Sequence, residues 1–247
     1  MIKSKIDDVK DKFENLFYKN LSDYKIAKEL NISPNAVLAY RKKHGYVRKS
    51  LKENNEIALT QDNKEVLLGT LLGDASLYKY KNYKNPVFSF EHGIKQKEYG
   101  EYKAKLLSNL KLHTNIYTRN VIDKRTNKYY TSYSVRAAAN PAFEYYYCAF
   151  YKNNKKVIPF ELLNDFSEKS LAILFMDDGS KTKSGYEIST NCFTVEEVNK
   201  FRNFLFCKFG IETSILKTHA IYIRKQSKEL FKSLIKKYVI PSMMYKL

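Results

Sequence analysis

The spacing of apolar residues changes several times along the chain, and each change predicts a different element. Ile6, Val9, Phe13, Leu16 and Phe17 recur at helical intervals over residues 4–19. The following stretch, LSDYKIAKELNISPNAVLAYRKKHG at residues 21–45, predicts two short helices. Ser22 or Asp23 can cap the first, Asn31 tolerates a left-handed turn, and Ser33 can cap the second with Pro34 at its first position. That order is the order of a helix-turn-helix, which would turn Asn35, Ala36, Leu38, Tyr40 and Arg41 toward a major groove. A plain helical hairpin with a solvated basic face is the competing reading. Residues 46–62 are polar and aperiodic, so a linker is expected over 51–62, with the helical domain at 1–50.

Two later runs are apolar on nearly every side, LLGTLLGDAS at residues 67–76 and LAILFMDDGS at residues 171–180. Helices with no polar face are buried. Asp62 to Glu65 (DNKE) has capping-box spacing ahead of the first, and Gly69 and Gly73 give it a bare face for another helix. Both runs end in acid, Asp74 in one and Asp177 with Asp178 in the other. The negative end of a helix dipole disfavours carboxylates, so their presence calls for a cation.

Each run is followed by the same plan. The first leads into LYKYKNYK and PVFSFEH, a helix over about 96–110, then NIYTR and YYTSYSVRA; the second leads into GYEISTNC, a helix over about 195–209 behind the box TVEE, then TSILK and AIYIR. Val157-Ile158-Pro159 is echoed by Val239-Ile240-Pro241. This duplication predicts an α+β fold of two pseudo-symmetric αββαββα halves, 63–165 and 166–247, with the acid-tipped helices paired at the centre.

Charge narrows the partner. The formal net charge is +18, from 44 Lys and Arg against 26 Asp and Glu, which points to a polyanion and first to nucleic acid. No eighteen-residue apolar run exists, so a membrane span is not expected. Cys148, Cys192 and Cys207 show no zinc spacing, and MIKSKIDD at the start lacks an apolar signal core; a reducing, cytoplasmic setting is expected. His44, His92, His113 and His219 are scattered and are read as solvated or packing residues.

Two carboxylates held together in a basic protein repel unless a divalent cation lies between them. Oxygen donors favour Mg²⁺, which shares its shell readily with phosphate oxygens and suits phosphodiester hydrolysis. At this point the two runs resemble the paired motifs of the LAGLIDADG homing endonucleases, in particular the single-chain class whose second motif reads close to FMDDGS. The resemblance covers about residues 60–247. It implies saddle-shaped antiparallel sheets along the major groove of a long double-stranded DNA site, a monomer, and cleavage of both strands with divalent metal. It implies that Asp74 and Asp178 bind metal, with the carbonyls of Gly73 and Asp177 as further ligands, and that Lys246 lies near the reacting phosphate. The register favours Asp178 over Asp177 as the acid facing the partner helix. Asn164 stands where a second Lys246 would recur, which leaves Lys156 as a candidate basic helper.

Lys79, Lys81, Lys84, Arg119, Lys124, Arg125, Arg136, Lys181, Lys183, Lys217, Arg224 and Lys225 fall on or beside the expected strands and suit a β-ribbon surface on DNA. Singly, each is better explained as a solvated surface charge than as a base reader. A regulator that has lost catalysis and an intron RNA maturase of the same fold stay open beside the nuclease.

Overall fold

In this computed structural model, residues 6–19, 21–46, 57–81, 83–119, 122 and 126–247 are described. The chain divides into two units, Met1–Asn55 and Glu56–Leu247. Lys124 and Arg125, and most of the segment expected as linker, lie outside the described residues.

The first unit holds α1 (Lys10–Tyr18), α2 (Asp23–Glu29) and α3 (Pro34–Lys43). Ser22 caps α2 by accepting from the Lys25 amide, and Ser33 caps α3 by accepting from Ala36, each at 3.2 Å. Asn31 takes the left-handed turn between them at φ 52°. Ile6, Phe13, Phe17, Ile26, Ala27, Val37 and Tyr40 form the core. Two residues expected at a groove are therefore corrected. Tyr40 is buried, packed edge-on to Phe13 at 5.2 Å. Arg41 grips Asp23 through Nε and Nη2, both at 2.9 Å, and donates to the Tyr46 carbonyl, so its guanidinium is already committed. Asn35 stays exposed on α3.

The second unit begins with α4 (Gln61–Leu72), two residues inside the expected linker. Its cap is Thr60, not Asp62: Thr60 Oγ1 accepts from the Asn63 amide and Asn63 Oδ1 from the Thr60 amide, each at 3.1 Å. Asn63 wins that role because its amide also reaches the Leu106 carbonyl and ties the cap to the core. After α4 come β1 (Ser76–Tyr78), β2 (Val87–Gly93), α5 (Lys97–Leu106), β3 (Leu112–Thr118), β4 (Thr131–Ala137) and α6 (Ala142–Phe150). A two-residue hairpin, β5 (Tyr151–Lys152) and β6 (Lys155–Lys156), turns through Asn153 and Asn154 at φ 50° and 60°. Paired left-handed residues make the hairpin turn whose twist matches its strands.

Then α7 (Glu168–Asp178) leads to β7 (Gly179–Lys181), β8 (Tyr186–Ile188), α8 (Val195–Phe209), β9 (Thr213–Ile215), β10 (Ile221–Ile223) and α9 (Lys228–Lys236). The antiparallel sheets run β1-β2-β4-β3 and β7-β8-β10-β9, so both place their strands in the same order. Thr194 and Glu197 form the expected box before α8. Among the described residues, no helix is long and apolar enough to cross a membrane.

Helices α4 and α7 are buried along almost their whole length and pack on each other. The glycines set the approach. A Cβ on Gly69 would stand 2.8 Å from Ile173 Cβ, and one on Gly73 would stand 2.6 Å from Asp177 Cβ. Neither position has room for a side chain. Phe88, Phe90, Tyr133 and Val135 cover one side of this pair from the first sheet, while Tyr186, Ile188, Ile221 and Ile223 contribute from the second. The opposite faces carry Ser89, Glu91, Ser134 and Arg136 in one sheet and Ser180, Glu187 and Tyr222 in the other.

Candidate active site

Asp74 and Asp178 lie at the ends of the two helices, near enough for the Asp74 charge to act on Asp178. Helix α4 stops at Leu72, so Asp74 is released by Gly73 onto the chain just beyond it, whereas Asp178 is the last residue of α7. The Asp74 side chain stays 35% exposed, and its pKa is raised first by burial of the rest and then by Asp177. Asp178 is raised further, to about 7, by burial first and by Asp74 next, with Lys156 and Lys246 pulling the other way. Each carboxylate thus feels a neighbour's charge across the pair, and the cations present do not fully offset it.

The two lysines occupy matching positions. Lys156, carried in by the β5–β6 hairpin, donates to the carbonyls of Gly73 and Ala75 at 3.0 and 3.1 Å. Lys246, on the turn Pro241–Lys246, donates to the carbonyls of Met176 and Asp177 at 2.6 and 3.1 Å. Burial lowers the pKa of both. The Gly73 and Asp177 carbonyls, expected as metal ligands, are thus already accepting from ammonium groups.

The register reading of Asp177 is corrected. Asp177, not Asp178, is the acid turned into the partner helix. Its carboxylate is wholly buried and accepts from Thr70 Oγ1 at 2.8 Å, Tyr99 OH at 2.7 Å, Lys103 Nζ at 2.7 Å and the Asp74 amide at 3.3 Å. All four donors belong to the chain preceding α7. Lys103 also stands over the Phe90 and Tyr99 rings, 4.3 and 4.8 Å from their centroids, which makes a buried ammonium tolerable. Asp178, one residue on and about 100° round the helix, points elsewhere but still feels the Asp74 charge.

Of the two readings given for His92, packing holds and solvation does not. It lies on β2 with its ring buried, Nδ1 3.4 Å from Asp74 Oδ2 and Nε2 4.0 Å from Asp177 Oδ1. Burial, with Lys103 next, lowers its pKa to about 3, so it is neutral. The buried alternation Phe88, Phe90, His92 along β2 was a signal available in the sequence, since a histidine on an apolar face is not solvated.

The basic residues divide into committed and free. Lys79 pairs with Glu144 at 2.8 Å, Arg119 with Glu91 at 2.9 Å and Arg224 with Glu212 at 3.8 Å. Arg136 lies over Tyr78 and Tyr80 on the exposed sheet face. Lys81, Lys84, Lys181, Lys183, Lys217 and Lys225 are exposed.

The family model described as LAGLIDADG DNA endonuclease family matches residues 64–234, which include the acid tips of both helices. The chain belongs to that family. Among LAGLIDADG relatives, the cytochrome b mRNA maturase bI2 of Debaryomyces hansenii is 32% identical over 214 residues, covering 81% of this chain and 79% of the maturase. A probable intron-encoded endonuclease 1 of Wickerhamomyces canadensis is 34% identical, covering 76% of this chain and 85% of its own. The solved structure of the homing endonuclease I-WcaI bound to its DNA recognition sequence superposes with a TM-score of 0.71 at 28% identity, covering 84% of this chain and 97% of that one.

Proposed function

We propose that the protein is a homing endonuclease that cuts both strands of a specific double-stranded DNA site, working as a monomer with divalent cations, Mg²⁺ first. The observation that carries this is the pairing of Asp74 and Asp178 with pKa values both raised by burial and by neighbouring acids. Such a pair gains from a divalent ion what it loses by lying together, and carboxylate oxygens suit a hard ion. The residues present fit that group. A bound ion would ready a water for in-line attack and stabilise the leaving oxygen.

The chain's own residues do the rest. Asp74 and Asp178 hold the ions, and Lys246 and Lys156 place ammonium groups where charge develops on the phosphate. Lysines with lowered pKa lie closer to giving up a proton to the leaving oxygen at neutral pH than ordinary ones do. The exposed lysines Lys81, Lys84, Lys181, Lys183, Lys217 and Lys225, together with Arg136, contact phosphates and in part read bases along the sheet faces. We assign residues 1–50 as a helix-turn-helix that adds affinity for flanking DNA through the exposed face of α3 around Asn35, Leu38 and Lys42, joined by a linker to the halves 63–165 and 166–247.

A second reading rests on the maturase relative: the same fold can serve intron RNA. One experiment separates the two. Targets are selected from a randomised DNA library with the complete protein, and cleavage is followed with and without Mg²⁺. Discrete double-strand products that require metal, and that vanish in Asp74→Asn and in Asp178→Asn, support the nuclease. Retention of full cleavage in both folded variants would overturn the assignment, and tight binding of intron RNA without DNA cleavage would favour the maturase.

A further inference from the structure

The two acids do not have the same neighbours. Ser76, two residues beyond Asp74, pairs with Ser89; Ser180, two residues beyond Asp178, pairs with Glu187. Counting three further along each inner strand aligns His92 with Thr190. The Thr190 hydroxyl is consumed, since it donates to the His219 carbonyl at 2.5 Å. The His92 ring is not. Its Nε2 is buried with no hydrogen-bond partner among the described residues, and its Nδ1 faces the Asp74 carboxylate.

We propose that His92 is a nitrogen ligand to the divalent ion held at Asp74, oriented by Asp177, so that the two metal positions differ in donor set. This rests on the metal-dependent nuclease reading and refines it. A separation of 3.4 Å between His92 Nδ1 and Asp74 Oδ2 is long for a hydrogen bond. It is near the bite of two donors on one ion, whose bonds run about 2.1 Å each. The other ring nitrogen explains the remaining geometry. A metal-bound imidazole usually points its second N–H at a carboxylate, which fixes the tautomer and the ring plane. Nε2 lies 4.0 Å from Asp177 Oδ1, on the side of the ring away from Asp74. Asp177, anchored by Thr70, Tyr99 and Lys103, is a rigid partner for it. An imidazole donor shifts preference from Mg²⁺ toward Mn²⁺ and Co²⁺ at the Asp74 position, while the Asp178 position keeps oxygen donors.

The test uses the complete protein loaded with Mn²⁺, with and without duplex DNA, and reads nitrogen coupling to the bound ion by pulsed electron paramagnetic resonance. The wild type should show coupling to one imidazole nitrogen, converting to the heavier isotope's pattern when histidine is supplied labelled. Asp178→Asn should keep that coupling. His92→Thr, which copies the other side, should lose it and weaken one of the bound ions by about tenfold or more. His92→Gln is the second variant, each checked by its melting curve, and the labelled wild type needs no variant at all. Mn²⁺ bound without nitrogen coupling, or coupling that survives in both His92 variants, would overturn the ligation. If the coupling is absent while Asp74→Asn and Asp178→Asn still abolish cleavage, the nuclease stands and the role of His92 falls. If Mn²⁺ does not bind at all, both fall.

Discussion

The tips of α4 and α7 look alike in sequence and differ in construction. Where α7 has Asp177, α4 has Gly73, and the glycine is pressed against the Asp177 side chain. The first tip is bare and takes its order from outside: the Asp74 amide donates to Asp177, and Lys156 holds the carbonyls of Gly73 and Ala75. The second tip sends a buried charge across the helix pair into a pocket made by Thr70, Tyr99 and Lys103. The lesson is that a repeated motif need not build a repeated site. One half supplies a donor pocket, the other supplies the acid that fills it, and Asp74 and Asp178 inherit different surroundings.

The largest effect should come from removing that acid. Asp177→Ala leaves the Lys103 ammonium buried without its partner, which should cost about 3–5 kcal/mol in urea unfolding. The double change Asp177→Leu with Lys103→Met should recover most of the loss, because the uncompensated charge is gone. A single-variant loss below about 1 kcal/mol would break the contrast between the tips.

The bare face of α4 gives the next effect. Gly69→Ala places a methyl 2.8 Å from Ile173 Cβ and should cost about 1–3 kcal/mol by overpacking. Gly93→Ala, with nothing within 4 Å, is its control and should change stability little. Equal losses would mean that the glycines are not what sets the helix approach.

The pH dependence sharpens the comparison of the acids themselves. Asp178 titrates at about 7 in the folded protein, so the folded state holds its proton after the unfolded chain, near the ordinary value of 3.8, has released it. Its contribution is therefore fully present below about 3.8 and is lost as pH rises through about 7. Metal-free stability should fall across that window, Asp178→Asn should flatten the slope, and saturating Mg²⁺ should do the same. Unchanged slopes in the variant would place the shift elsewhere.

The smallest effect tests where the asymmetry stops. Thr60→Ala and Ser167→Ala remove the caps of α4 and α7 and should each cost about 1 kcal/mol. Similar values would show that the two helices begin alike and diverge only at their tips.

Much of this was legible in the residue pattern. The two buried helices, the glycine face and the succession of strands and helices after each acid tip all follow from periodicity and duplication, because local period and a repeat are properties of the chain itself. The position of Lys156 was less direct, since it depends on a hairpin that the Asn153–Asn154 pair signals but whose direction it does not give. Tyr40 and Arg41 were misread because helical spacing alone does not say which face an aromatic or a guanidinium takes once Phe13 and Asp23 are near.

The sequence by itself determined that this chain makes two acid-tipped, fully apolar helices in a strongly basic protein. It could not decide which of Asp177 and Asp178, adjacent on one turn and identical in chemistry, is buried against the partner helix. Only the tertiary structure did so. The Lys103 ammonium and the hydroxyls of Thr70 and Tyr99 lie on one side of α7, and a carboxylate can be buried only where donors already wait for it.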